Sequence, residues 1–299
     1  MIRATIQFCT YNRAWLLERV LDACFDQRIA ESEYEVVVVD DGSSDATPGV
    51  LEAARRRAPC SFTIVTQANA GLAAARNAGI ARASGERIIF IDDDVLPIPT
   101  FVNEHLRAGG RRPGAIVRGG AIEVRSPDDL PPPIWSIRDY SGNYFWTTNV
   151  SLPLTTMRAL GGFDESFSEY GWEDIDVGLR LRQMRVPAVF SPRALVYHVK
   201  PPPRGASVER MIAQARAQAR TAVRLLRRHP GWRTTLATGI NPVQRRFHGL
   251  MRSLQFDRRF RRRLASLEND RELRPSEERA ARALANEAYF EEIERALRS

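Results

Sequence analysis

Three carboxylates stand side by side at residues 92–94, closing the run IIFIDDDVLP (88–97). Adjacent anions at the end of a hydrophobic strand repel one another, and a bound cation relieves that repulsion. The D-x-D spacing suits a hard divalent ion. Mg²⁺ or Mn²⁺ takes one or two carboxylates and leaves its other positions to phosphate oxygens and water. A solvated turn without a ligand is the alternative for the triplet taken alone. A second pair, Asp40 and Asp41, ends YEVVVVD (34–40) and opens DGSSD (41–45). Gly42 and the serines suit a strand–turn–helix joint, but the joint does not need two acids. A carboxylate there can accept the N–H of a base or a ribose hydroxyl. GxGxxG after the first strand is absent, which disfavours dinucleotide binding. A third pair, Glu173 and Asp174, sits in GWEDIDVGLRL (171–181). Mutual repulsion raises the proton affinity of one member, as a general base requires. Acids are also favoured in the first turn of a helix, so spacing alone leaves both a base and a capping pair open.

The elements around these residues alternate. Strands are predicted at 2–9, 34–40, 61–66 and 86–92, with helices at 14–27, 45–58 (starting near Ser44 or Asp45) and 70–83 between them. This alternation predicts an open α/β sheet of parallel order, whose ligands lie outside the carboxyl ends of the strands. Three such ends carry Cys9-Thr10-Tyr11-Asn12, Asp40–Ser43 and Asp92–Asp94. Further strands are predicted at 115–125, 146–153 and, as two short pieces, within 186–199. Residues 125–146, rich in proline and aromatics, read as a long functional loop. A helix starts at Glu173. Lys200-Pro201-Pro202-Pro203 marks a linker, giving a domain of residues 1–200 and an extension of 201–299. The extension holds an amphipathic helix at 206–228 and further helices near 241–268 and 276–297.

Hydrophobic residues are 43% and charged residues 27% of the 299, which excludes a disordered polyelectrolyte. No stretch reaches the roughly 18–20 apolar residues of a membrane span, and the N-terminus reads as a strand, not a signal peptide. Three cysteines without CxxC spacing argue against a disulfide framework or zinc site and for a reducing cytoplasm. The net charge of +8 comes from the last third alone: residues 1–200 hold 22 bases and 25 acids, residues 201–299 hold 22 and 11. Arg216, Arg220, Arg224, Arg227 and Arg228 share one face of the 206–228 helix. That face suits a helical cap with a solvated basic side, an oligomer contact, or peripheral contact with an anionic membrane. Sparse aromatics and an acidic first domain argue against nucleic acid.

CTYNR (9–13), VVVDDGSSD (37–45), NAGLAAARNAGIARASGERIIFIDDD (69–94), TNVSLP (148–153), GGFDESF (161–167), GWEDIDVGLRL (171–181) and VYH (196–198) occur in this order. Together they resemble the family 2 inverting glycosyltransferases of the GT-A fold, over roughly residues 4–199. The resemblance implies a Rossmann-like mixed sheet flanked by helices. It implies transfer of one sugar from a nucleotide-diphosphate sugar, UDP-linked by expectation, to an acceptor hydroxyl on a glycan, lipid-linked or small molecule. It assigns Thr10, Tyr11, Asn12, Arg13, Asp40 and Asp41 to the nucleotide, with Asp41 on the base, and Arg76 and Asn77 to the diphosphate or sugar. Asp94 and Asp92 would hold Mn²⁺ or Mg²⁺, with His198 completing the site, while Asp93 would face ribose or sugar. Asp174 becomes the base, Glu173 its neighbour, and Trp172 and Asn149 acceptor or sugar contacts. No QxxRW motif follows His198, which points away from polymer synthesis. A metal-dependent nucleotidyltransferase or phosphohydrolase would also use clustered aspartates, but would not need the GWED helix. Arg185-Val186 stands where relatives often carry a glycine after that helix.

Overall fold

The computed structural model describes residues 1–244, 246, 248, 260, 264 and 269–298. Most of the helix expected near 241–268 lies outside them. The chain forms two compact units: Met1–Ser168 with Glu173–Pro201, and Glu169–Trp172 with Pro202–Ser299. Residues 169–172, expected in the first domain, thus belong to the second unit.

The first unit is built on one eight-stranded sheet of order β3-β2-β1-β4-β7-β6-β8-β5. β1 (Ala4–Thr10), β2 (Tyr34–Asp40), β3 (Ser61–Thr66) and β4 (Arg87–Phe90) are parallel, as the alternation predicts. All seven residues of β2 are buried, so its β-branched run is covered on both faces. Each of its four valines contributes roughly 1.5–3 kcal/mol by leaving water. α1 (Ala14–Phe25), α2 (Thr47–Arg55) and α3 (Leu72–Arg82) make the crossovers. α2 starts later than expected: Asp45 Oδ1 accepts the Thr47 N–H at 2.9 Å from outside the helix.

The parallel order stops after β4. β5 (Val95–Pro97) and α4 (Phe101–Arg111) lead to β6 (Ile116–Val124), and β7 (Val150–Pro153) runs antiparallel to β4 and β6. α5 (Leu154–Ala159) and α6 (Glu173–Gln183) precede β8 (Ala188–Val199). β8 is one twelve-residue strand, not two pieces, because an irregularity between Arg118 and Gly120 of β6 absorbs the slip in register. The sheet is therefore mixed. Arg185 turns the chain out of α6 with φ +57°, a conformation that costs a non-glycine residue roughly 1–2 kcal/mol.

The second unit is helical. α7 (Ser207–Arg228), α8 (Trp232–Thr238) and α9 (Pro275–Arg298) enclose a small core in which Ala219, Ala222 and Val223 meet Tyr289, Phe290 and Ile293. The arginine face of α7 is not uniformly solvated. Arg220 pairs with Glu169 at 2.7 Å and Glu292 at 3.1 Å, and Arg227 donates to the Ala296 carbonyl at 3.0 Å. Arg220 and Arg227, expected to face solvent or lipid, therefore have partners inside the unit, and Arg224 and Arg228 are not free either. Among the described residues no helix is long and apolar enough to cross a membrane.

Candidate active site

Register brings the acidic clusters together. β1 and β2 pair in parallel with Thr10 beside Asp40, so both strand ends open on one edge. The antiparallel pairing of β4 and β7 sets Phe90 against Val150. Continued two residues further, it brings Asp92 opposite Thr148, whose hydroxyl donates to Asp92 Oδ2 at 2.6 Å. β5 pairs with β8 so that Val95 lies beside His198, which puts Asp94 at the histidine.

The three adjacent aspartates have separate surroundings. Asp93 accepts the Thr10 hydroxyl at 3.0 Å and lies 3.2 Å from Arg13 Nε. Burial pushes its carboxyl up to about 6, although Arg13 opposes the rise. Asp92 is held by Thr148 on Oδ2 and by Arg76 Nη2 at 3.2 Å on Oδ1. Each of its oxygens has one protein partner and keeps a further lone-pair position. His198 Nε2 lies 3.3 Å from Asp94 Oδ1. Burial raises the Asp94 carboxyl, but His198, Arg13 and Lys200 outweigh it and hold the group below the usual range. Asp94 Oδ1 and His198 Nδ1 are buried without hydrogen-bond partners. The orphaned Asp94 oxygen faces His198 Nε2, and that hard oxygen and ring nitrogen together fit a divalent cation whose remaining positions are filled by phosphate and water, whereas Nδ1 diverges from them across the ring. Among the described residues no group of three or more side chains that could hold a metal ion occurs.

The nucleotide side is built on loops. Asn12 takes φ +51°, and its side-chain oxygen accepts the Ser44 N–H at 2.8 Å and the Asp45 N–H at 3.3 Å. It ties the end of β1 to the loop after β2. Asp40 caps that loop through the Ser43 N–H at 3.0 Å. Gly42 has φ +82°, and a Cβ there would meet Asn69 N at 2.8 Å. Asp41 Oδ1 accepts Gln67 Nε2 at 2.8 Å and the Ala70 N–H at 2.9 Å, and its Oδ2 accepts the Gly71 N–H at 3.1 Å. A carboxylate has about four lone-pair positions, so Oδ2 keeps one for an incoming donor. Tyr11 is exposed at the rim, 51% accessible.

At the start of α6, Arg76 Nη1 donates to Glu173 Oε1 at 2.6 Å and Nη2 to Thr147 Oγ1 at 2.7 Å. Its guanidinium stacks over Phe163 at 5.1 Å. Arg76 is buried, 3% exposed, and joined to Asp92, Thr147 and Glu173. Asp174 begins α6 beside Glu173, its Oδ1 accepting the Ile175 N–H at 2.7 Å. Burial pushes its carboxyl up to about 7, Glu173 adds to the rise and Arg76 opposes it. Such a carboxyl can take a proton near neutral pH.

Asn77 and Asn149 both hold backbone groups. Asn77 clamps the 163–165 turn, donating to Phe163 O at 2.9 Å and Glu165 Oε1 at 2.8 Å and accepting the Phe163 N–H at 2.8 Å. Asn149 is buried, its amide donating to Gly120 O and Ala194 O at 2.9 Å while its oxygen lies 3.0 Å from His105 Nε2. It braces β6 against β8. Sequence reasoning missed Thr147, Thr148 and Phe163. The TTN and GGF motifs marked their positions, but only the β4–β7 register shows that the threonines, not the asparagine, face the acids. In the 125–146 loop, Trp135 and Tyr140 pack on Phe190, with ring centroids at 5.6 and 4.9 Å.

A mixed sheet of this order, with carboxylates gathered at the ends of β2 and β4 and at the start of α6, is the GT-A architecture. Residues 5–161 match the profile of glycosyl transferase family 2, and the chain belongs to that family. It is 33% identical over 218 residues to validoxylamine A glucosyltransferase of Streptomyces hygroscopicus subsp. jinggangensis, covering 61% of this chain and 52% of that protein. The chain spans about half the length of that relative. Among solved structures, it superposes on the mannosyltransferase PcManGT of Pyrobaculum calidifontis, in complex with GDP-Man and Mn²⁺. The TM-score is 0.62 at 18% identity, over 99% of this chain and 87% of that one. It also superposes on S. aureus TarS 1–349 in complex with UDP, with TM-score 0.55 at 17% identity, over 99% and 92%.

Proposed function

We propose that this protein transfers a single sugar, with inversion, from a UDP-linked sugar to an acceptor hydroxyl, using Asp174 as the base. The observation that carries this reading is the Glu173–Asp174 pair, whose first member is buried and ion-paired to Arg76 and whose second is half-buried and shifted toward neutral pH. Asp174 accepts the acceptor's hydroxyl proton. The freed oxygen bonds to the anomeric carbon, and the bond from that carbon to the diphosphate oxygen breaks with its electron pair on the leaving group. Attack opposite the leaving group inverts the centre.

Tyr11, Asp40 and the open position on Asp41 Oδ2 receive the nucleotide, while Thr10 and Arg13 fix Asp93 toward ribose or sugar. Asp94 and His198 would hold Mn²⁺ or Mg²⁺. Such an ion, when bound, supplies charge neutralisation for the diphosphate. Arg76 orients Glu173 and keeps the local charge balanced. The validoxylamine A glucosyltransferase relative supports a small hydroxylated acceptor. Replacing Asp174 by Asn tests the reading. Transfer to acceptor should fall at least about a thousandfold while UDP binding is retained. An Asn variant with most of its activity would remove Asp174 as the base, and nucleotide release without an acceptor would point to hydrolysis.

A further inference from the structure

The second unit carries a cleft of its own. Its volume is ≈ 450 Å³, within the roughly 300–1,000 Å³ of small-molecule sites. It opens between α7, α8 and α9, and Trp172, Gln218, Gln244, His248, Asn286 and Tyr289 are among its lining residues. No carboxylate, lysine or arginine lines it among the described residues. A described lining without lysine, arginine or carboxylate matches a neutral ligand. The three amide side chains disfavour a purely apolar one. Aromatic faces with uncharged groups that both donate and accept suit a neutral, hydroxyl-rich ring.

The walls are held in place. Trp172 Nε1 donates to Gln218 O at 2.9 Å, and Tyr289 OH donates to Thr238 O at 2.7 Å. His248 stacks face to face on Phe290 with centroids 3.8 Å apart. The Thr221 hydroxyl donates to Tyr170 O at 3.1 Å, and Arg220 bridges Glu169 and Glu292. These bonds fix the short segment that carries Trp172. Trp172 itself has φ +71°, a conformation costing a bulky residue roughly 1–2 kcal/mol. Backbone strain of this kind concentrates at functional sites. Here it turns the indole toward the cleft one residue before Glu173. The side-chain amide of Gln218 has no hydrogen bond among the described residues, and it borders the same space.

We propose that this cleft binds a neutral polyhydroxylated ring of the acceptor, with Trp172 as its apolar wall and Gln218 and Asn286 as hydrogen-bonding partners. Its assignment to the acceptor rests on the glycosyl-transfer reading; the binding of such a ring does not. Saturation-transfer NMR on the full chain tests it with three probes: trehalose, myo-inositol and UDP-glucose. UDP affinity is measured in parallel by calorimetry. Ring protons of trehalose or myo-inositol should be saturated without nucleotide. The signal should weaken at least about tenfold in both Gln218→Leu and Asn286→Leu, while their UDP affinity and melting temperature stay as in the parent. Absence of ring saturation from both nucleotide-free probes, or signals unchanged in both variants, overturns the proposal. A variant-sensitive signal confined to the glucosyl ring of UDP-glucose overturns it too, by giving the cleft to the donor. If UDP does not bind but the ring signals behave as expected, the cleft stands and the transfer reading falls.

Discussion

Arg76 Nη1 and Glu173 Oε1 lie 2.6 Å apart, both buried, although 97 residues separate them in the chain. The pair joins the middle of α3 to the start of α6. Arg76 Nη2 extends the link to Asp92 and Thr147. Removing one partner would strand an uncompensated charge. Arg76→Met should therefore lower stability by about 3–5 kcal/mol, read from urea denaturation midpoints. Arg76→Met combined with Glu173→Leu should recover most of that loss. A single-variant loss below about 1 kcal/mol would show that the pair is not structurally coupled.

The rise of the Asp174 carboxyl to about 7 fixes the acid side of the pH profile. A base acts only when deprotonated, and a raised value means it is protonated below about pH 7. The kcat/KM should thus fall about tenfold per unit as pH drops below 7 and level off above it. Stability has the opposite dependence. The unfolded carboxyl titrates near 3.8, so folding with Asp174 charged becomes progressively costlier between about 4 and 7 and the penalty is constant above that. Glu173→Gln removes one of the charges that raise the group and should move the kinetic limb to lower pH. An unmoved limb would assign it to another residue.

Asp94 and Asp92 separate in a metal titration. UDP with Mn²⁺ should raise the melting temperature more than UDP alone, because a ligand at 100 times its Kd stabilises by about 2.7 kcal/mol. Asp94→Ala should erase the Mn²⁺-dependent part of the shift. Asp92→Asn should lower the starting temperature, through lost bonds to Arg76 and Thr148, yet keep that part. The reverse pattern would give the metal to Asp92.

Arg185 is exposed and holds φ +57° at the end of α6. Glycine adopts that conformation without the Cβ clash. Arg185→Gly should stabilise the fold by about 1 kcal/mol, offset in part by the greater freedom of glycine in the unfolded chain. Transfer activity should not change. A destabilised variant would mean that the arginine side chain contributes more than its backbone costs.

The sequence by itself determined which residues had chemical potential and which strands opened toward them. The continuous β-branched run of β2, the acids at the ends of β2 and β4, and the helix beginning at Glu173 are local patterns, set by burial and by strand and helix geometry. The order of the motifs was enough to mark the family. Pairing across the sheet decided what each residue touches. The antiparallel register of β7 on β4 gives Asp92 to Thr148 and Arg76, and β5 on β8 gives Asp94 to His198. Adjacent aspartates look alike in sequence because their neighbours in space are far apart in the chain. Asn77 and Asn149 matched motifs, yet their amides answer backbone groups that only the folded sheet brings near. Trp172 likewise reads as part of a catalytic motif, but its indole hydrogen-bonds to α7 because Gly171 and Trp172 both take positive φ. That turn in the backbone is a property of the packed helices, and no spacing in the sequence encodes it.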